Sequence, residues 1–381
     1  MSHSSGNPFP SQKHELLLKS ALMEGEMALS AFYEWKKLVN FEEDIEYASF
    51  RMLPLLYMNL SRQDVQDELM PRLKGIYRKS WSKNQLLFYK TGKVLKFLQD
   101  QGIKTLVMKG IPLSVIIYKN FAVRPMADMD ILIPYVEARK TVELLQNAGW
   151  ILRNPHYLEF NLKYGRSATF ADDENTELDL HWHPIFEAHG DISENDFWDM
   201  AIPFEVAGVK TLSFCATDIF FQTIVHGLRY NPEPPIRWIA DGLALLRDQE
   251  HPLDWERLIN YTRKFRVSLY MKDALNYLVR TFDAPAPASK LKEIESIRVS
   301  SVEKLIFRHS QKFGDKDPDT FTEKIYSVYA AYMRQTNKNG FIARHAGFIN
   351  YLRFRNKGKP FFKIVVYQIS LFFKNNLRIK K

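Results

Sequence analysis

The stretch Leu106-Val107-Met108-Lys109-Gly110-Ile111-Pro112-Leu113, continued through Arg124 to Asp128-Met129-Asp130-Ile131-Leu132-Ile133, decides the fold. Residues 103–108 form a short apolar run of strand length, set off from the preceding helical pattern by Gly102, a residue suited to a helix C-cap. Lys109-Gly110 ends the run. Residues 112–118 can form a helix, with Pro112 in its first turn. Asp128 to Ile133 reads as a second strand ended by Pro134, and 136–147 as a helix closed by Gly149. Two further runs, near 158–170 and 177–182, flank the polar turn Ala171-Asp172-Asp173-Glu174-Asn175, a hairpin signature. The core order is therefore strand, helix, strand, helix, hairpin.

On either side the pattern is helical. In 13–100, Leu16, Leu17, Leu18, Ala21 and Leu22 cluster at helical spacing, as do Leu86, Leu87, Val94, Leu95 and Leu98. Pro54 and Pro71 mark breaks or helix starts. From Thr217 onward the chain is helical again, with Asp254 placed to cap one helix and Ala284-Pro285-Ala286-Pro287-Ala288 reading as a loop. The expected class is α+β: a small mixed sheet flanked by N-terminal and C-terminal helical regions. The expected division is a disordered leader over 1–12, a helical region over 13–100, a core over 101–215, a second helical region over 216–340 and a basic aromatic tail over 341–381.

The chemistry lies in the carboxylates. Side chains alternate along a strand, so Asp128 and Asp130 point to one face and Met129 and Ile131 to the other. Paired carboxylates repel each other unless a cation lies between them. Mg²⁺, or Mn²⁺ in its place, takes hard oxygen ligands and shares them with substrate phosphates, so Asp-x-Asp suits one or two such ions holding a triphosphate. In Glu177-Leu178-Asp179-Leu180-His181 the alternation repeats, and an adjacent strand would bring Asp179 beside the first pair as a third carboxylate. Singly, each of these aspartates reads as readily as a surface or turn residue; the combination is more specific.

These segments resemble the DNA polymerase β-type nucleotidyltransferase superfamily, and more narrowly a bacterial nucleotidyltransferase family that carries Lys-Gly before the helix. The similarity continues through Glu177 to Trp182, His226, and Arg237-Trp238-Ile239-Ala240-Asp241-Gly242, covering roughly residues 80–270. It implies an enzyme that moves a nucleoside monophosphate from a nucleoside triphosphate, ATP by default, to a hydroxyl acceptor and releases pyrophosphate. It implies metal binding by Asp128, Asp130 and Asp179. The superfamily usually has Gly-Ser or Gly-Gly after the first strand, whereas here Ile111 follows Lys109-Gly110. Phosphate contact then falls to Lys109 and to N–H groups near Gly110 at the helix start. The same departure supports the alternative of a non-catalytic nucleotide sensor or partner-binding protein.

Several residues flank this site with two readings each. Arg124 neutralises phosphate or pairs with the aspartates when metal is absent. His181 and His183 hydrogen-bond Asp179 or end an amphipathic strand; their His-x-His spacing also occurs in zinc sites, but no convincing further ligand accompanies it. Arg237 and Asp241, four apart on one helix, form a salt bridge or, with His226, line an acceptor pocket. Trp238 reads as core rather than as a stacking platform.

Composition bounds the rest. The 381 residues are 46% hydrophobic and 25% charged, an ordinary globular balance. The net charge of +9 is confined to 341–381, which holds ten Lys/Arg and no Asp/Glu; the remainder is balanced to within one charge. A basic patch over the whole domain is thus excluded. The single cysteine, Cys215, cannot form an intrachain disulfide and fits a reducing, cytoplasmic location. The first residues lack a signal-peptide pattern. The tail interleaves aromatics with Lys and Arg, which suits packing on the body, peripheral contact with an anionic membrane, or single-stranded nucleic acid. The acceptor is open: a small molecule, a lipid-linked intermediate, a protein or an RNA.

Overall fold

The computed structural model describes residues 9–41, 43, 45–187, 196–229, 235–312, 321–336 and 341–355. Its centre is one seven-stranded mixed sheet in the order β3-β4-β5-β2-β1-β7-β6. The strands are β1 (Leu106–Val107), β2 (Asp128–Leu132), β3 (Ile151–Leu152), β4 (Ser167–Ala171), β5 (Glu177–His181), β6 (Ile202–Val206) and β7 (Val209–Ser213). β2 runs antiparallel to β1 and parallel to β5, with Asp130 directly opposite Asp179. The expected α+β class, a mixed sheet between helical regions, is the one observed.

Alternation along the strands divides the molecule into two apolar cores. Val107, Met129, Ile131, Ile133, Leu178, Leu180 and Trp182 face one side. There they bury against Leu87, Val94, Leu95 and Leu98 of α5 (Met70–Asp100) and against α7 (Ala138–Asn147). Leu106, Met108 and Leu132 face the other side and join a larger core built with the N-terminal and C-terminal helices. Each such side chain contributes roughly 1.5–3 kcal/mol when fully buried. The even-numbered positions of β2 therefore point toward the helical side, and so do Asp128 and Asp130.

On that side stand α3 (Tyr47–Phe50), α9 (Ala216–Gly227) and α10 (Arg237–Arg247). α9 and α10 approach so closely at Gly227 that a Cβ there would lie 2.2 Å from Trp238 Cβ, so only glycine fits. Trp238 is 3% exposed and meets Phe9 edge-on, which places it in the core as expected.

Three sequence expectations need correction. The run 158–170 is not one strand: 158–164 is helix α8, because Leu158 and Leu162 repeat at helical spacing after Pro155, and pairing begins only at Ser167. The β6–β7 hairpin was not foreseen. Its turn is Ala207-Gly208, both at positive φ, a weaker sequence signal than Asn-Gly. The helix after Lys109 is one short turn, α6 (Gly110–Pro112), that widens into a π-helical turn over Leu113–Ile117.

Of the expected tail over 341–381, only 341–355 is among the described residues. α16 (Phe341–Arg355) buries Tyr351 against Phe160, Tyr164 and Tyr332, so this part packs on the body. Residues 356–381, with most of the expected aromatic-basic alternation, lie outside the described residues. Among the described residues no helix is long and apolar enough to cross a membrane.

Candidate active site

The parallel pairing of β2 with β5 is what assembles the site. Register places Asp128 opposite Glu177, Asp130 opposite Asp179, and Leu132 opposite His181. Ligand atoms of Asp130, Asp179 and His181 all lie within 4.8 Å of one another. Asp130 is 5% exposed and accepts from His181 Nε2 at 3.0 Å and from Lys109 Nζ. Burial, reinforced by Lys109 and Arg166, pushes the His181 pKa well down and keeps the ring neutral. Asp179 accepts from Thr169 Oγ on β4 at 2.6 Å.

Asp128 lies one strand repeat from this cluster and faces a cavity of about 290 Å³. Its pKa is raised first by the charge of Asp130 and then by burial, with Lys109, Arg237 and Arg51 opposing. Two like charges on one strand face oppose each other's ionisation, and Lys109 offsets the largest part of that repulsion. Its backbone sits at φ 59°, which turns the chain from β1 directly into α6 and lets the ammonium fold back over Asp130. Gly110 permits the turn, since a Cβ there would lie 2.5 Å from Arg124 Nη1.

The cavity wall carries both signs of charge in equal number, with the carboxylates on the sheet side offset by lysine and arginine around them. Lys109, Arg51, Arg124, Arg237 and His226 line it together with Asp128, Asp130, Glu177 and Asp241. His226 is open to the cavity but otherwise surrounded by protein. Burial first, then Lys109, Arg166, Arg229 and Arg237, depress its pKa far below the usual histidine range.

Partners differ from expectation in three places. Arg124 does not pair with Asp128 or Asp130. Its Nε and Nη2 fork onto both oxygens of Asp241 at 2.9–3.1 Å, and Tyr118 donates to the same carboxylate at 3.0 Å. Asp241 consequently pairs with Arg124 rather than with Arg237, which donates instead to the Pro125 carbonyl at 2.7 Å. Burial alone would lower the Arg124 pKa, but Asp241 more than offsets it. The His181 partner is Asp130 rather than Asp179. His183 stacks on Tyr135 at 5.2 Å, beyond the end of β5, and is not among the gathered ligand atoms.

Sequence reasoning missed Glu177 and Arg51. Glu177 shares a strand face with Asp179, so alternation alone could have found it. Arg51 follows α3 and reaches the cavity only through the packing of the N-terminal helices. Its Nε is buried without a hydrogen-bond partner, and burial lowers its pKa.

A family model described as "Uncharacterised nucleotidyltransferase" matches residues 47–283, which span α3, the whole sheet and α9 through α12 (Ser268–Phe282). The chain belongs to this family. The match includes every residue of the site described above, and it starts at Tyr47, the first cavity residue in the chain. A search among curated proteins found no similar sequence.

The short contact from Lys109 to Asp130 has a measurable consequence for this nucleotidyltransferase family member. If a divalent cation binds these carboxylates, Lys109→Met should tighten Mn²⁺ binding severalfold, because the ammonium no longer competes for Asp130. Titration followed by electron paramagnetic resonance reads this directly. Cation affinity should also weaken as pH falls through the raised Asp128 pKa, since protonation removes a negative charge beside Asp130. An unchanged or weaker Mn²⁺ affinity in K109M would show that Lys109 does not compete with a cation.

Proposed function

We propose that the protein is a divalent-metal-dependent nucleotidyltransferase of the DNA polymerase β type. It transfers a nucleoside monophosphate from a nucleoside triphosphate, ATP being the first to test, to a hydroxyl acceptor and releases pyrophosphate. The observation that carries this reading is the in-register placement of Asp130 beside Asp179, next to a cavity walled by Lys109, Arg51, Arg124 and Arg237. Family membership supports it.

The residues fit a metal ion. Asp130 and Asp179 offer hard oxygen ligands beside the neutral His181 ring, and Asp128, two residues along the same strand face, would add a further carboxylate whose repulsion by Asp130 a cation would relieve. Mg²⁺ or Mn²⁺ bound there would neutralise phosphate charge and lower the pKa of an acceptor hydroxyl. Lys109 and Arg51 orient the triphosphate by charge, and Gly110 leaves the room that Arg124 and Met126 take beside the turn. Arg124 is already held by Asp241, so it shapes the cavity and supplies field rather than a mobile clamp. Thr169 fixes Asp179, the carboxylate placed to accept the acceptor's proton. His226 and Arg237 line the wall opposite the sheet, where the acceptor or base would lie. Ile111 is buried in the core and offers no hydroxyl, so phosphate contact rests on Lys109 and the main chain.

The deciding experiment combines calorimetric titration of ATP with Mg²⁺ and a pyrophosphate-release assay across sugars, lipids, proteins and RNA. Metal-dependent release with any acceptor supports the transferase. Tight ATP binding without release across the whole panel would instead favour a nucleotide sensor on the same fold, the reading that Ile111 supports. The expected location is the cytoplasm, with peripheral membrane contact through 341–381 as a further element of the proposal.

A further inference from the structure

Three arginines from distant parts of the chain converge on one aromatic ring. The guanidinium carbons of Arg166 and Arg334 each lie 4.5 Å from the centre of Phe186, and that of Arg229 lies 5.2 Å away. Arg166 leads into β4, Arg229 follows α9, and Arg334 ends α15 (Phe321–Arg334). The carboxylate in contact is Glu187, whose Oε2 accepts from Arg229 Nη2 at 2.5 Å. Nε of Arg229 and Nε of Arg334 are buried with no hydrogen-bond partner. Burial, with Arg229 adding, lowers the Arg166 pKa to about 10 and depresses that of Arg334 in the same way.

Among the described residues, three guanidinium groups against one contacting carboxylate leave about two positive charges in excess, an arrangement that is unfavourable unless an anion shares the space. Stacking on a ring occupies the guanidinium face and leaves the in-plane N–H groups for an oxyanion. All three arginines and Phe186 keep partial exposure, so a small anion can reach them. A phosphate monoester, with a charge of about −1.5 to −2 and three acceptor oxygens, matches both the charge and the donors. The cluster adjoins the candidate active site. Arg166 feels Asp130 and Asp179, and both Arg166 and Arg229 act on His226, which lines the cavity.

We propose that Arg166, Arg229 and Arg334 form an anion site for the phosphate group of a phosphomonoester acceptor, set across His226 from the triphosphate cavity. The word acceptor rests on the transferase reading; the anion site does not.

The test is calorimetric titration of the full chain with glycerol 3-phosphate and with inorganic phosphate, without metal and at low ionic strength. Wild type should bind the monoester, R334Q should bind it at least about tenfold more weakly, and E187Q severalfold more tightly. A purely structural Glu187 would not produce that tightening. Arg51→Gln, on the triphosphate cavity, should leave monoester affinity unchanged. Thermal melts of each variant identify a folded protein, and Arg166→Lys, which keeps the charge but loses the fork, replaces R334Q where that variant fails to fold. The proposal is overturned by unchanged affinity in folded R334Q or R166K, by weaker binding in E187Q, by binding of inorganic phosphate alone, or by loss in R51Q instead. Absence of pyrophosphate release with arginine-dependent monoester binding intact would remove the transferase reading and leave the anion site standing.

Discussion

Asp130→Asn should lower nucleotidyl transfer by about 10³-fold or more, while the melting temperature stays close to that of the parent protein. A loss of that size corresponds to about 4 kcal/mol of transition-state stabilisation, within what bound metal ions supply at transferring phosphoryl groups. Asp130 is the centre of the site. It contacts Lys109 and His181, stands opposite Asp179, and is the main cause of the raised Asp128 pKa. Asparagine keeps the volume and the hydrogen-bond acceptor but removes the charge a divalent cation needs. The cost to folding is small because removing Asp130 relieves its repulsion of Asp128, and Lys109 retains access to solvent. The substitution should also lower the Asp128 pKa, so the pH dependence of any residual Mn²⁺ binding should move to lower pH. Wild-type transfer by a folded Asp130→Asn/Asp179→Asn double variant would end the transferase assignment.

Asp241→Ala should cause the largest loss of stability of any single substitution near the site, about 3–5 kcal/mol. The Arg124–Asp241 pair is nearly inaccessible, with side-chain exposures of 8% and 4%. Both oxygens of Asp241 are engaged, by the Arg124 fork and the Tyr118 hydroxyl. Truncation leaves a buried guanidinium uncompensated and a buried phenol without its acceptor, which costs far more than the pair contributes when intact. The comparison that isolates this cause is Arg124→Met/Asp241→Leu, which removes both charges and should recover most of the loss. Urea unfolding midpoints measure both. Equal destabilisation by the single and double variants would show that packing, not the uncompensated charge, dominates.

Much of the fold was legible because its signals are local. Alternation in Asp128 to Ile133 and in Glu177 to His181 identifies both strands and their polar face, and the polar turn at Asp172 to Asn175 identifies the hairpin. The β6–β7 hairpin was not legible, because Ala207-Gly208 reaches positive φ without the residues that usually announce it. The 158–164 segment was misread because a short apolar run satisfies both periods until its neighbours are known.

The carboxylate half of the candidate site follows from sequence for the same reason. A period of two residues places Asp128 with Asp130, and Asp179 with His181, whatever surrounds them. Which strand neighbours which is a different matter. The parallel pairing that sets Asp130 against Asp179 depends on β4 and β1 flanking the β5–β2 pair, a consequence of burying two apolar faces at once. The partners of the charged residues were likewise decided only in three dimensions. Arg237 and Asp241 are neighbours along a helix, yet the better acceptor geometry for Arg124 lies across the cavity at Asp241. Arg51, Arg166, Arg229 and Arg334 carry no spacing signal at all. Side chains separated by long stretches of chain meet according to how helices pack, and packing is set by the apolar residues between them rather than by the charges themselves.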